Sequence, residues 1–127
     1  DPVWDHSRFV PDVIAINLGT NDMNTEKGQK EPLKQEDYTG AAAAFIQRLR
    51  NLYPASKIIL SIGPMEFEPV QSWLPGIAAQ FDDVSVLVYP KYNGPEDYAG
   101  HWHPSVKKDR EMAVQLTAKV RELTGWQ

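Results

Sequence analysis

The sequence predicts an α/β domain in which helices cover a parallel sheet. Three short runs of β-branched and aliphatic residues alternate with segments whose apolar residues recur every three or four positions. This alternation is typical of parallel strands joined by helical crossovers. The 127 residues suffice for one hydrophobic core, so we expect a single domain over residues 1–127.

The first strand is predicted over Val13–Leu18, and Gly19 ends it. Its nearly continuous apolar character is typical of a strand covered on both faces. The polar residues 25–35 indicate an exposed loop. A helix follows from Asp37 to Leu52, because its apolar residues recur at spacings of four, four and three. Pro54 closes this helix, since proline disfavours helical geometry in the residue before it.

The remaining elements repeat the alternation. Strands are predicted over Lys57–Ile62 and Val84–Tyr89, each followed by a proline-containing turn. A short helix around Trp73–Phe81 separates them. The last helix is predicted from Ser105 to Leu123, and Gly125 stands where a helix C-terminus usually requires glycine.

The predicted sheet is narrow, and the chain begins with Asp1 rather than methionine. Sheets of this architecture usually have about five or six strands. We therefore expect that a first portion is missing. One edge of the sheet would then be unpaired and apolar, and such an edge pairs readily with another chain. A homodimer, or a partner chain that covers this edge, is the resulting expectation.

The composition excludes several classes of function. The formal net charge of −4 gives no electrostatic basis for binding nucleic acid or an anionic membrane. The run Lys107–Arg110 contains its own aspartate and predicts a solvated helix face. The absence of cysteine excludes disulfides and thiolate metal sites. No apolar run approaches the length of a membrane span.

Residues that follow the strands are the first candidates for a site, because open parallel sheets bind ligands at the carboxyl ends of their strands. The block Gly19-Thr20-Asn21-Asp22 follows the first strand. One interpretation is a turn, since Gly permits positive φ and Asn and Asp bond local backbone. The other is that the Gly19 N–H and the Asn21 amide donate toward one point and stabilise an oxyanion.

A second candidate is the histidine pair before the last helix. His103 could be a loop residue that satisfies its own hydrogen bonds, because imidazole both donates and accepts. His101 and His103 also form a His-x-His pair that could bind a metal, although no third ligand with suitable spacing is evident nearby.

The stretch PDVIAINLGTND (residues 11–22), followed some 80 residues later by HWHPS (residues 101–105), closely resembles the second half of SGNH, or GDSL-type, hydrolases. More narrowly it resembles the family-2 carbohydrate esterases, which deacetylate sugars and polysaccharides. The segment SIGPM (residues 61–65) extends the resemblance over nearly the whole chain. It implies the flavodoxin-like, three-layer fold of these hydrolases, of which this chain would be the C-terminal part.

The resemblance also implies roles for individual residues. Gly19 and Asn21 resemble the oxyanion-hole donors, and His103 resembles the general base of a Ser-His mechanism. The substrate would be an acylated carbohydrate. Trp73 and Trp102 could stack on a sugar ring, although aromatic residues beside helices more often serve packing. No metal or organic cofactor is implied, and family analogy favours secretion.

The chain departs from the family pattern at the nucleophile. No Gly-Asp-Ser block occurs, and neither Ser7 nor Ser61 stands in a matching context. The serine is therefore expected outside this chain, which should be inactive alone. The alternative interpretation is a non-catalytic carbohydrate-binding or interaction domain built on a hydrolase frame.

A second departure concerns the acid that orients the histidine. Gly100 and His101 occupy the positions where such an acid stands three or two residues before His103 in the resembled enzymes. Glu96 or Asp97 could substitute for it, or a backbone carbonyl could hold the ring. The loss of the acid modestly favours the non-catalytic interpretation.

Overall fold

The computed structural model describes residues 4–23, 33–65 and 68–127, and it contains a three-stranded parallel sheet. The strands lie in the order in which they occur along the chain, and each crossover contains a helix. The elements are β1 (Val13–Asn17), α1 (Gln35–Leu52), β2 (Lys57–Ile62), α2 (Val70–Ala78), β3 (Val84–Val88) and α3 (Val106–Thr124). The predicted α/β fold class and element order are confirmed.

Three predicted helix boundaries differ from the structure by two or three residues, among them the end of α2, which lies at Ala78 rather than Phe81. The helix α1 begins two residues earlier than expected. The helix α2 begins at Val70 rather than Trp73, because Val70 is fully buried and packs near Gly19 at the end of β1. That contact is tertiary and leaves no local periodicity. Most of the predicted loop at residues 25–35 lies outside the described residues.

One face of the sheet forms the hydrophobic core. The residues Ile58, Leu60 and Ile62 of β2 point to this face, because side chains alternate along a strand. The helices α1 and α2 cover it and contact each other. The buried cluster comprises Ile46, Ile58, Leu60, Ile62, Val70, Leu74, Ile77 and Ala78.

The opposite face is covered unevenly. Ile59 and Ser61 of the central strand are buried, whereas Ala15 and Asn17 on β1 are exposed. A groove of about 380 Å³ lies here, between the β1 side and α3. Apolar side chains dominate its lining, among them Phe9, Val10, Val13, Leu116, Val120 and Trp126.

The strand β1 forms an edge of the sheet, since within the described residues its only strand partner is β2. The edge is apolar on both sides of the sheet. Leu18, Phe9 and Val10 are all more than half exposed, and Phe45 of α1 is 43% exposed.

Arg50 joins two loops at the amino end of the sheet. Its Nη1 donates to the carbonyl oxygens of Pro54 and Ser56 at 3.0 and 2.7 Å, with a longer contact of 3.5 Å to that of Tyr53. Its Nη2 donates to the carbonyl oxygen of Asp82 at 3.0 Å. The end of α1 and the turn before β3 are thereby held by one guanidinium.

The helix α3 is capped at both ends. The Ser105 side chain accepts from the Lys108 N–H, and Gly125 closes the helix in the left-handed conformation predicted for it. The prediction of a solvated face at residues 107–110 is wrong for Lys108, which is 3% exposed. Of the helices in the described ranges, none combines the length and the apolarity needed to cross a membrane.

Candidate active site

The carboxyl ends of the three strands are tied together side by side. The Asn17 Nδ2 donates to the Gly63 carbonyl at 3.0 Å, and the Tyr89 N–H donates to the Ile62 carbonyl at 2.9 Å. Gly63 has φ +104°, and a Cβ there would lie 2.8 Å from the Tyr89 carbonyl oxygen. Only glycine fits this close approach, which fixes the carboxyl ends of β2 and β3 side by side.

The backbone conformation of the turn after β1 is also tightly constrained. Gly19 is buried with φ +121°, and a Cβ would meet Tyr38 and Val70 at 3.2 Å. The Tyr38 hydroxyl donates to the Leu18 carbonyl at 3.0 Å. Burial, followed by the nearby Asp22 carboxylate, raises the pKa of Tyr38, so this hydroxyl stays protonated. The preceding strand end is therefore held in place.

Asn21 opens a single 3₁₀ turn, Asn21–Met23, and is exposed. The Asp22 N–H donates to the Gly19 carbonyl at 3.1 Å and closes a turn over Gly19–Asp22 that leads into it. The predicted turn is thus present. The roles of Gly19 and Asn21 as oxyanion donors stay a prediction, because a turn of this kind satisfies both interpretations.

The loop between β3 and α3 runs outward and then back as two limbs, and His103 lies on the returning limb. Tyr98 and Pro104 pair as an antiparallel bridge, and the Ala99 N–H donates to the His103 carbonyl at 2.7 Å. The His103 Nδ1 lies 3.3 Å from the Gly100 carbonyl oxygen. Because a carbonyl only accepts, this hydrogen bond requires the proton on Nδ1. The neutral ring then has a bare Nε2, the atom a general base needs.

The structure distinguishes between the three groups that were considered for orienting the His103 ring. The structure shows the backbone carbonyl of Gly100 beside the ring. The carboxylates of Glu96 and Asp97 instead accept from Lys107 Nζ, at 3.2 and 2.9 Å. They are engaged with α3 rather than with the imidazole.

The tip of the same loop is strained. His101 and Trp102 have φ of +54° and +64°, the left-handed region that bulky residues rarely adopt. The Tyr92 hydroxyl donates to the Trp102 carbonyl at 2.8 Å, and the Tyr98 and Trp102 rings meet edge to face at 5.3 Å. Trp102 is nevertheless 72% exposed. Such strain persists only where the surroundings impose it, and it concentrates at functional sites.

The two predicted sugar-stacking residues have different surroundings. Trp102 offers its ring to solvent, whereas Trp73 is half-buried against the core and lies 5.8 Å from the Tyr38 ring. The packing interpretation therefore describes Trp73 well. Sugar contact by either residue stays a prediction.

Sequence reasoning missed the pair Asp97 and Lys108. The Asp97 carboxylate accepts from Lys107 Nζ at 2.9 Å, from the Asn93 N–H at 2.9 Å and from Lys108 Nζ at 3.3 Å. Hydrogen bonds from Lys107 and from the Asn93 N–H lower the pKa of Asp97 to about 2. An aspartate ten and eleven residues before a Lys-Lys pair was the only sequence signal, and it does not indicate burial.

Among the described residues, the His-x-His pair gains no further ligand. Over the ranges 4–23, 33–65 and 68–127, no three His, Asp or Glu side chains are grouped to hold a metal ion. The two serines considered as nucleophiles are engaged elsewhere. Ser7 Oγ donates to Asp5 at 2.7 Å, and the buried Ser61 donates to the Ile16 carbonyl at 3.0 Å.

Comparison with known proteins places this geometry in context. The chain is 31% identical to the cellulase/esterase CelE of Acetivibrio thermocellus over 132 residues, covering 97% of this chain and 16% of CelE. It is 25% identical to an acetylxylan esterase / glucomannan deacetylase of Cellvibrio japonicus, over 98% of this chain and 34% of that protein. No family model matches the chain.

The fold agrees with the sequence. The structure of a family two carbohydrate esterase from Clostridium thermocellum in complex with cellohexaose superposes with a TM-score of 0.88 at 29% identity. The match covers 98% of this chain and 39% of that one. The chain thus spans well under half the length of the proteins it matches. In sequence and in fold, it is a relative of the SGNH-type family-2 carbohydrate esterases and corresponds to a part of them.

Proposed function

We propose that this chain supplies the general base and the oxyanion hole of a carbohydrate-deacetylating ester hydrolase, with the nucleophilic serine contributed by residues outside these 127. The observation that carries the proposal is the His103 Nδ1 contact with the Gly100 carbonyl, which leaves Nε2 free to accept a proton. Residues 1–127 then act as the C-terminal part of a single hydrolase domain.

The proposed reaction assigns each group one task. Nε2 of His103 takes the proton from the serine hydroxyl while the serine oxygen attacks the ester carbonyl. The Gly19 N–H and the Asn21 amide donate to the oxyanion that forms. The imidazolium returns the proton to the departing sugar oxygen. Water, activated by the same imidazole, then hydrolyses the seryl ester and releases the carboxylic acid.

The substrate class follows from the relatives and from one exposed ring. CelE and the Cellvibrio protein are named as esterases, the latter acting on acetylxylan and glucomannan, and the solved Clostridium relative binds cellohexaose. Trp102, two residues beyond Gly100, is largely exposed, and an exposed indole ring supports contact with a sugar face. These points support an acetylated polysaccharide as the substrate.

The test is hydrolysis of p-nitrophenyl acetate by a protein that joins this chain to the serine-bearing segment. His103→Ala should lower kcat by about 100- to 10,000-fold, the usual contribution of a general base. The matched control is His101→Asn, two residues away, since Asn tolerates the left-handed backbone found there. It should stay near the parent rate. Unchanged activity in His103→Ala would remove the assignment of the base.

An experiment on the 127-residue chain alone tests whether the nucleophile lies outside it. It should not react stoichiometrically with a fluorophosphonate, because no serine in it combines a matching context with a neighbouring base. Stoichiometric labelling would place the nucleophile within the chain and contradict the proposal.

A second candidate is non-catalytic carbohydrate binding. Two observations favour it: a backbone carbonyl rather than a carboxylate holds His103, and the rings of Tyr92, Tyr98 and Trp102 form one partly exposed cluster. Titration with cello-oligosaccharides, followed by tryptophan fluorescence, discriminates between the two. Binding without hydrolysis in the serine-containing protein would favour this candidate.

We further propose that another chain, or a second copy of this one, covers the β1 edge. The support is the exposed apolar surface on both sides of the strand, including Leu18 and Phe9. Light scattering of the 127-residue chain should show a dimer or a larger species. Replacing Ala15 on β1 with lysine should shift it toward monomer. A monodisperse monomer of the unaltered chain would contradict this proposal.

A further inference from the structure

The loop that carries His103 is open to solvent at its tip and closed at its base. His101, Trp102 and His103 are all exposed. The side chains of Asp97 and Lys108, at the base, are 2% and 4% exposed. A buried ion pair beneath an exposed, strained loop is an unusual use of charge, because burial removes both groups from water.

Asp97 joins the two limbs of the loop. Its carboxylate accepts from the Asn93 N–H on the outgoing limb at 2.9 Å. Its carbonyl accepts from the Ser105 N–H at 2.8 Å, while Ser105 Oγ donates to the Glu96 carbonyl at 2.6 Å. The returning limb is therefore fixed two residues after His103.

Lys108 ties this base to the helix. Its Nζ lies 3.3 Å from Asp97 Oδ2 and donates to the Lys91 carbonyl at 3.2 Å. Its own N–H donates to Ser105 Oγ, the cap of α3. One buried lysine thus contacts the start of the loop, its base and the first turn of α3.

We propose that Asp97, through its pair with Lys108, is a positioning residue that holds the His103 ring against the Gly100 carbonyl. The inference rests on the proposed role of His103 as the base. The contact between the His103 ring and the carbonyl is long and exposed, so alone it fixes little. The positive-φ residues His101 and Trp102 would relax unless both ends of the loop were held. The Asp97 carboxylate holds the outgoing limb through the Asn93 N–H, and its pair with Lys108 anchors the start of α3, into which the returning limb runs.

The test is the ¹⁵N NMR spectrum of the His103 imidazole in the 127-residue chain. The unaltered chain should show the proton on Nδ1. Asp97→Asn should shift the population toward the Nε2–H tautomer that free histidine favours. The matched control is Glu111→Gln, because Glu111 also lies 3.3 Å from Lys108 Nζ but belongs to α3 and not to the loop. It should leave the tautomer unchanged.

A purely structural role would give a different result. It would lower the melting temperature of Asp97→Asn but leave the tautomer of the folded protein unaltered, and this outcome overturns the proposal. Where Asp97→Asn does not fold, Lys108→Met takes its place, since it removes the partner named in the proposal while Lys107 still pairs with the same carboxylate. A smaller shift toward Nε2–H is then expected, and no shift overturns the proposal.

The tautomer and the reaction are measured separately. In a serine-containing protein, Asp97→Asn should lower kcat by roughly 10- to 100-fold with little change in KM, because a displacement on the order of 1 Å is costly to proton transfer. A serine-containing protein without esterase activity would defeat the proposed function, while the tautomer shift would still report how Asp97 acts on the ring.

Discussion

The two sides of the sheet are built differently. On the side of α1 and α2, Ile58, Leu60 and Ile62 are almost completely buried in a continuous cluster. On the side of α3, Ala15 and Asn17 at the β1 edge are exposed, and a groove of about 380 Å³ separates β1 from α3. The first side forms the hydrophobic core that stabilises the described residues. The second side leaves apolar surface that the described residues do not cover.

The difference shows why the candidate site combines rigid and open parts. Gly19 lies on the packed side, where Tyr38 and Val70 leave no room for a side chain. Asn21, two residues further on, opens the 3₁₀ turn and is exposed. Of the two proposed oxyanion donors, Gly19 is therefore held by packing, whereas Asn21 is open to solvent.

The largest expected difference in the free energy of unfolding is between alanine variants of two leucines. Leu74→Ala removes a side chain that is 2% exposed in the core, and it should lower the free energy of unfolding by about 2–5 kcal/mol. Leu18→Ala removes the same atoms from a side chain that is 58% exposed at the β1 edge. In the Ala15→Lys background, where this edge is expected to be unpaired, it should change that free energy by less than about 0.5 kcal/mol. Urea denaturation measures both, and equal losses would break the comparison.

A smaller effect is expected from a pair of glycines. Gly19→Ala places a Cβ 3.2 Å from Tyr38 and Val70 at φ +121°, and it should destabilise the fold by roughly 1–3 kcal/mol. Gly40→Ala, inside α1 with no atom within 4 Å of the new Cβ, should stabilise it by about 0.5–1 kcal/mol. Opposite signs in urea denaturation would sharpen the contrast; a neutral Gly19→Ala would refute it.

The smallest expected effect concerns pH. The folded-state pKa of Asp97 is about 2, below its ordinary value of 3.8, so its ionised form stabilises the native state. This contribution is fully present above about pH 4 and is lost as the pH falls toward 2. Melting temperatures measured by circular dichroism should fall less steeply over this window in Asp97→Asn. Parallel curves for the two proteins would contradict the prediction.

Periodicity and turn chemistry predicted most of the fold. The predicted bounds of β1 and β2 were correct to within one residue, and Gly125 closes α3 as expected. Local pattern could not predict that α2 begins at Val70, because a contact near Gly19 determines it. The sheet edge and its exposed apolar surface were foreseeable only from the small number of strands.

The candidate site was predicted in part. The carbonyl that holds His103 was one of three groups considered, and geometry alone identified Gly100. The burial of Lys108 was missed because a run of charges on a helix usually faces solvent. Only the folded loop, which brings Asp97 beneath α3, gives this lysine a partner away from water.

The contacts of Arg50 imply that the two loops it joins tolerate substitutions better than Arg50 itself does. All of its acceptors at the amino end of the sheet are backbone carbonyls, which every amino acid possesses. Side chains in the two loops that it joins can therefore vary without loss of these bonds. Arg50 itself has no such freedom, because lysine lacks the planar fork that reaches separate loops at once. Variants selected for new loops at this end should keep the arginine and change almost everything around it.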